Sequence, residues 1–172
     1  MSTHPSRVVD LLPALLRYAR RLTRDGQDAE DLVQETLAAA YAKADSYQPG
    51  RSLRVWLFAI LHNQFIDNRR HDAVRARPDA SDTPPAATPA LQEQSVRLRE
   101  VAEALDRLSP EHQQVLHLVA VEGLSYQEAA EALAIPIGTL ISRLSRARAR
   151  LRALDGDESG ARRSIPLRIV EN

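Results

Sequence analysis

The chemistry-bearing residues of this chain are arginines, set out unevenly. Between Pro136 and Leu154 stand Arg143, Arg146, Arg148, Arg150 and Arg152 with no acid among them, whereas Glu111 to Ile135 holds Glu111, Glu122, Glu128 and Glu131 and no Lys or Arg. A guanidinium row of this kind bonds phosphates and base edges, or else forms a solvated face. A second basic group, Arg69, Arg70, Arg75 and Arg77, follows the amide and carboxylate of Asn63 and Asp67. A third group is acidic: Asp25, Asp28, Glu30, Asp31 and Glu35 cluster around one helix start. The 23 basic and 23 acidic residues cancel in sum. Their segregation is what separate nucleic-acid and protein-binding faces require. Sets for covalent catalysis are missing. The chain has no cysteine, no metal-spaced His pair, no Gly-rich phosphate loop and no GxSxG. It therefore reads as a non-enzyme with no catalytic residues, no metal and no cofactor.

Helices must position these groups. Aromatics make up 4% of the 172 residues, with one Trp and two Phe, so the composition favours helix over a β-sandwich. No apolar run approaches the roughly 20 residues of a membrane span, and MSTHPSRVVD lacks a signal-peptide layout. A soluble, cytoplasmic protein is expected. Pro78 to Ala90, with four prolines and no large apolar side chain, cannot build a core and reads as a mobile linker. The predicted fold is all-α. Two small helical domains, residues 1–77 and 91–154, flank the linker at 78–90, and a tail follows at 155–172.

In the first domain, Leu11, Leu12, Leu15, Leu16 and Leu22 mark one helix, broken by Asp25-Gly26. Asp28 is the expected N-cap of the next, with Leu32, Val33, Leu37, Ala40 and Tyr41 as its buried stripe. A turn at Tyr47-Gln48-Pro49-Gly50 precedes a long helix from Leu53 to about Arg70. In the second domain, Thr88-Pro89 and Ser109-Pro110-Glu111 each start a helix, and Gly123 ends the latter. Ser125 to Glu128 forms a capping box for a short helix to Leu133. Ala134-Ile135-Pro136 is a tight turn into a last helix from about Gly138 to Leu154, with Leu140, Leu144, Ala147 and Leu151 on its inner side. Leu124, Leu133, Ile135 and Leu140 can seal the corner. A capped short helix, a tight turn and an arginine-bearing helix have the layout of a helix-turn-helix, in preference to an ordinary αα-hairpin with a charged face, and Thr139, Ser142, Arg143 and Arg146 are offered to a duplex.

The string Leu108-Ser109-Pro110-Glu111, Glu122-Gly123-Leu124-Ser125-Tyr126-Gln127-Glu128-Ala129-Ala130, Ile135 to Leu140, Ser142-Arg143-Leu144 and Arg146-Ala147-Arg148 resembles the fourth conserved region of bacterial sigma factors, nearest the extracytoplasmic-function (ECF) group. The resemblance implies that this helix-turn-helix binds the −35 promoter duplex through Thr139 to Arg150, with Arg150 joining Thr139, Ser142, Arg143 and Arg146. Independently, Asp28 to Leu37 resembles the family's core-polymerase-binding helix, which implies that role for Asp31, Leu32, Gln34 and Glu35. Leu53 to Arg70 resembles its −10-recognising, strand-melting segment. On that resemblance Asn63 and Asp67 bond exposed bases, and Arg69 and Arg70 neutralise phosphates. Trp56, spaced with Leu53 and Ile60, reads as core ahead of base stacking, Phe65 reads either way, and His62 has no assigned part. Ile141 stands where the family usually carries Lys or Arg, and its groove side is the favoured placement.

The sequence thus reads as an ECF-type sigma factor. The partners implied are RNA polymerase core, promoter DNA (−35 duplex and melted −10) and an anti-sigma protein. Two rivals differ in testable ways. A stand-alone helix-turn-helix regulator leaves the first domain's pattern unexplained. A sigma mimic that titrates an anti-sigma protein is expected to lose the arginines that this chain keeps.

Overall fold

In the computed structural model, residues 8–48, 50–75 and 103–158 are described, and every regular element among them is helical. Two compact units form. One contains residues 8–75 and takes in residues 128–135; the other holds the rest of the described chain. The linker at 78–90, the helix expected at Thr88-Pro89 and most of the 155–172 tail lie outside the described residues.

In the first unit, α1 (Leu12–Thr23), α2 (Gly26–Ala42) and α3 (Leu53–Arg75) pack pairwise. The stripe of α1 is Ala14, Leu15, Tyr18 and Ala19; Leu11, Leu12, Leu16 and Leu22 are only half-buried. Tyr18 meets Phe58 edge-on at 5.5 Å, and its hydroxyl lies 3.2 Å from Nδ1 of buried His62. Burial pushes this phenol far above its ordinary range, so the hydroxyl stays protonated. His62 thus has a part in tying α1 to α3. Thr36 is fully buried because its Oγ1 donates to the Leu32 carbonyl at 2.7 Å.

Two sequence expectations are corrected here. Helix α2 is capped by Asp25, not Asp28. Asp25 is extended, and its Oδ1 accepts from the backbone N–H of Gln27 at 2.8 Å and of Asp28 at 3.0 Å. Gly26 is helical despite its low propensity, because that cap satisfies two otherwise orphan donors. Asp25→Ala is expected to cost about 1 kcal/mol and to lower the melting temperature by roughly 4–8 °C for a unit of this size, with Asp25→Ser keeping most of it. A melting curve checks this. Tyr41, expected in the buried stripe, is 87% exposed. One turn beyond Leu37, Ala40 takes the inward position, and Tyr41 is rotated out by a further 100°.

In the second unit, α4 (Pro110–Leu116) starts at Ser109-Pro110 as expected and continues into one π-helical turn, His117–Val121. Nε2 of His117 lies 3.2 Å from Oε1 of Glu122 at that turn, both side chains being shielded from solvent. Gly123 reverses the chain at φ +67°, a conformation open to glycine at low cost. Buried Gln113 donates to the carbonyls of Leu105 and Leu108, each at 2.9 Å, fixing the approach to α4. Along the chain, helix α5 (Tyr126–Ala132), whose residues from Glu128 onward group with the first unit, leads through Ala134, left-handed at φ +51°, to α6 (Ile137–Glu158) of the second unit. Leu124, Leu133, Leu140, Leu144, Ala147, Ala129 and Ala130 are buried as expected, whereas Ile135 and Leu151 are half-buried. Helix α6 packs on α4. It also runs four residues past the expected end, so the segment called a tail begins as helix.

Candidate nucleic-acid interface

On α2, Asp31, Gln34 and Glu35 are exposed and share one face with Ala38 and Tyr41, at i, i+3/i+4, i+7 spacing. Leu32 does not join them. At 4% exposure it lies in the core, so its part is to hold the face in place. Gln27 donates to Asp31 Oδ1 at 3.2 Å, and Asn68 of α3 donates to Glu35 Oε2 at 2.9 Å. The second bond aligns α2 with the far half of α3. Sequence spacing missed Tyr41, because an aromatic at the end of an apolar stripe reads as core.

On α3, the packed part ends at Phe65, and residues 67–72 stand exposed. Asn63, Asp67 and Arg70 repeat at i, i+4, i+7 and are all exposed. Arg70 Nη1 lies 3.8 Å from Asp67 Oδ1. Arg69 is also exposed but off this row, with its guanidinium 5.9 Å from the Phe65 ring centre. Phe65 is buried. Trp56 packs on Tyr47 at 5.1 Å, and Tyr47 donates its hydroxyl proton to the Arg51 carbonyl at 2.6 Å. Both rings are engaged with the fold.

On α6, Gly138, Ile141, Ser145, Arg146 and Ala149 sweep one exposed face, bordered by half-buried Thr139 and Ser142. Arg150 is exposed; Arg148 is turned away and donates to the Tyr126 hydroxyl at 3.2 Å. Arg143 lies on the edge of the face beside α4, 3.3 Å from Oε2 of Glu111. Next to it, partial burial holds the His112 imidazole below its usual range. Glu111 opposes that shift, and Arg150, Arg146 and Arg143 reinforce it. The start of α4 is therefore within electrostatic reach of the arginine row. Ile141 is 48% exposed, on the open side of the helix.

Among the described residues no group of His, Asp and Glu is arranged to hold a metal ion, and no helix is long and apolar enough to cross a membrane. What the three faces offer is recognition: a polar helix with an aromatic end, an amide–carboxylate–cation row, and a broad helical face fringed by arginines.

Comparison with known proteins identifies the family of the chain. Residues 8–75 match the family Sigma-70 region 2, and residues 98–151 match Sigma-70, region 4. The ECF RNA polymerase sigma factor EcfG of Rhodopseudomonas palustris strain TIE-1 is 37% identical over 159 residues, 88% of this chain and 86% of that protein. The chain belongs to the ECF family of RNA polymerase sigma factors. The similar SigL of Mycobacterium tuberculosis is 39% identical over 134 residues, 76% of each chain. Among solved structures, the sigma factor RpoE of Bartonella quintana, in complex with the anti-sigma factor NepR, superposes with a TM-score of 0.68 at 35% identity, over 90% of this chain and 97% of that one. In this sigma factor, α1–α3 fall in region 2, and α4–α6 supply region 4. The helical, two-region reading of the sequence stands.

Proposed function

We propose that this sigma factor divides promoter recognition among three residue sets. The α2 face of Asp31, Gln34, Glu35 and Tyr41 docks on core polymerase, with buried Leu32 as its support. The outer half of α3 captures unpaired −10 bases through Asn63 and Asp67, while Arg69 and Arg70 hold the backbone. The open face of α6 enters the −35 major groove, where Thr139, Ser142, Arg143, Arg146 and Arg150 meet bases and phosphates. The observation that carries this reading is the Glu35–Asn68 bond at 2.9 Å. It sets the polymerase-facing helix and the base-facing helix at a fixed register within one small unit, so docking on one delivers the other.

The protein is read as a non-enzyme acting in the cytoplasm, where polymerase and promoter meet. An anti-sigma partner covers the α2 and α6 faces until a signal releases it. The Bartonella relative, solved with its anti-sigma factor, supports that part of the reading. Few cations reach phosphates in either region, so the free protein binds promoter duplex weakly, and core polymerase raises apparent affinity by fixing both regions on one template. Footprinting with and without core tests this: protection is expected only with core. Equal protection by the chain alone would make it a stand-alone regulator.

Exposure of Ile141 gives a further expected result. Ile141→Arg adds a cation on the groove side, so the salt dependence of −35 binding steepens by about one unit of slope, while the melting temperature holds. A lowered melting temperature with an unchanged slope would place the side chain inside.

A further inference from the structure

The carboxylate of Glu111 stands where a DNA-binding surface should least tolerate it. Beside a phosphate backbone an acid repels, so for affinity alone this position favours a neutral or basic residue. Yet the backbone turn that carries Glu111 is well anchored. Glu111 follows Pro110 in the first turn of α4, where His112 and Gln113 donate their backbone N–H groups to the Ser109 carbonyl at 2.9 and 3.0 Å. Gln113 then anchors that turn to the preceding chain. From this fixed turn the carboxylate reaches Arg143 on α6 at 3.3 Å, the Arg143 side chain being 25% exposed and that of Glu111 63%. The His112 imidazole, held below its usual range first by partial burial and further by the charges of Arg150, Arg146 and Arg143 against Glu111, feels the arginine row from the same turn.

Arginine carries five N–H donors in a rigid planar fork. The Glu111 carboxylate meets one terminal nitrogen of that fork, Nη2, at 3.3 Å, and so favours orientations of the plane that present the other donors together. That suits the paired acceptors O6 and N7 of a guanine edge, which require a set direction. It suits phosphate less, because phosphate takes a guanidinium from many directions and the neighbouring carboxylate weakens the pull. We propose that Glu111 is a specificity-determining positioning residue: it holds Arg143 as an oriented fork for a guanine edge in the −35 duplex and withholds it from the phosphate backbone. This rests on the reading of α6 as the −35 helix and adds a residue outside the helix-turn-helix.

The test uses the intact chain assembled with core polymerase. Binding is measured to a duplex carrying the −35 element and to a scrambled duplex of equal composition, across a salt series, for wild type, Glu111→Gln, Arg143→Ala and the double variant. Glu111→Gln is expected to raise affinity for scrambled duplex and to lower the promoter-to-scrambled ratio by about tenfold, in the range of one base-reading pair. Its salt slope steepens by about one as Arg143 turns to phosphate. In the Arg143→Ala background the same change should do nothing further. An unchanged ratio and slope in Glu111→Gln, with or without a lower melting temperature, overturns the proposal and leaves a merely structural pair. An equal effect in the presence and absence of Arg143 overturns it too, since Glu111 would then act on DNA directly. If the wild-type holoenzyme fails to distinguish the two duplexes at all, the −35 reading of α6 fails first, and the proposal with it.

Discussion

Alanine at both Asn63 and Asp67 leaves the holoenzyme holding a −35-only duplex and unable to keep a promoter open. Both side chains are exposed, one turn apart on the part of α3 that leaves the core, so their removal costs little folding energy. The Asp67–Arg70 pair at 3.8 Å is solvent-exposed on both sides and contributes little to stability. Their loss in the open complex is larger. A neutral amide and a carboxylate bonding to bases together supply about 2–4 kcal/mol, or roughly 30- to 700-fold in the open-complex equilibrium. A template with a pre-melted −10 bubble separates melting from holding. The bubble removes the cost of unpairing but not the need to hold the bases, so rescue should be partial. Potassium permanganate reactivity of −10 thymines, on closed and bubble templates, provides the measurement. Normal opening of a closed promoter by the double variant would move strand capture out of this segment and leave region 2 as a docking module.

What the sequence made legible was whatever depends on near neighbours. Helical spacing located the elements from α1 to α6, and Ser109-Pro110, Gly123 and the Pro136 turn located the breaks. Arg146, Arg150, Asn63 and Asp67 could be recognised as exposed because each has a polar partner one turn away: Arg146 and Arg150 lie four residues apart, as do Asn63 and Asp67, and Arg70 follows Asp67 by three. Local rules misplaced the α2 cap, since Asp25 and Asp28 are both competent and Gly26 argues against an early start. The cap bonds to Gln27 and Asp28 outweigh the glycine penalty. Tyr41 was misplaced because one residue of helical rotation decides between core and solvent. Hidden altogether were pairs distant along the chain: Tyr18 with His62, 44 residues apart, Glu35 with Asn68, 33 apart, and Glu111 with Arg143. Each needs two helices already packed. In the last two cases a residue legible as a member of a functional face, Glu35 or Arg143, turns out to have a holder on another element.

Tyr41→Ala is expected to weaken docking on core polymerase by roughly 30-fold or more, the scale of a truncated aromatic anchor. Tyr41 is 87% exposed. A tyrosine left almost wholly in water at the end of a polar helical face adds nothing to the fold, and the ring buries a large area once a partner covers it. Gln34 and Asp31 lie about two and three turns away on the same face. As rim residues they should act mainly on encounter: Asp31→Ala should lower the association rate and its salt dependence while changing affinity less than tenfold. Leu32→Ala gives the contrasting result. Its side chain is in the core, so truncation should cost about 2–5 kcal/mol of stability and weaken docking only by unfolding the face. Binding kinetics on immobilised core polymerase, read beside melting curves, separate the three. Tyr41→Ala should shorten the residence time at unchanged melting temperature, and Tyr41→Phe should recover most of it, because the ring face rather than the hydroxyl is buried. If Tyr41→Ala dissociates as slowly as wild type, the docking surface stops at Glu35, and the exposed ring belongs to another partner, such as the anti-sigma protein.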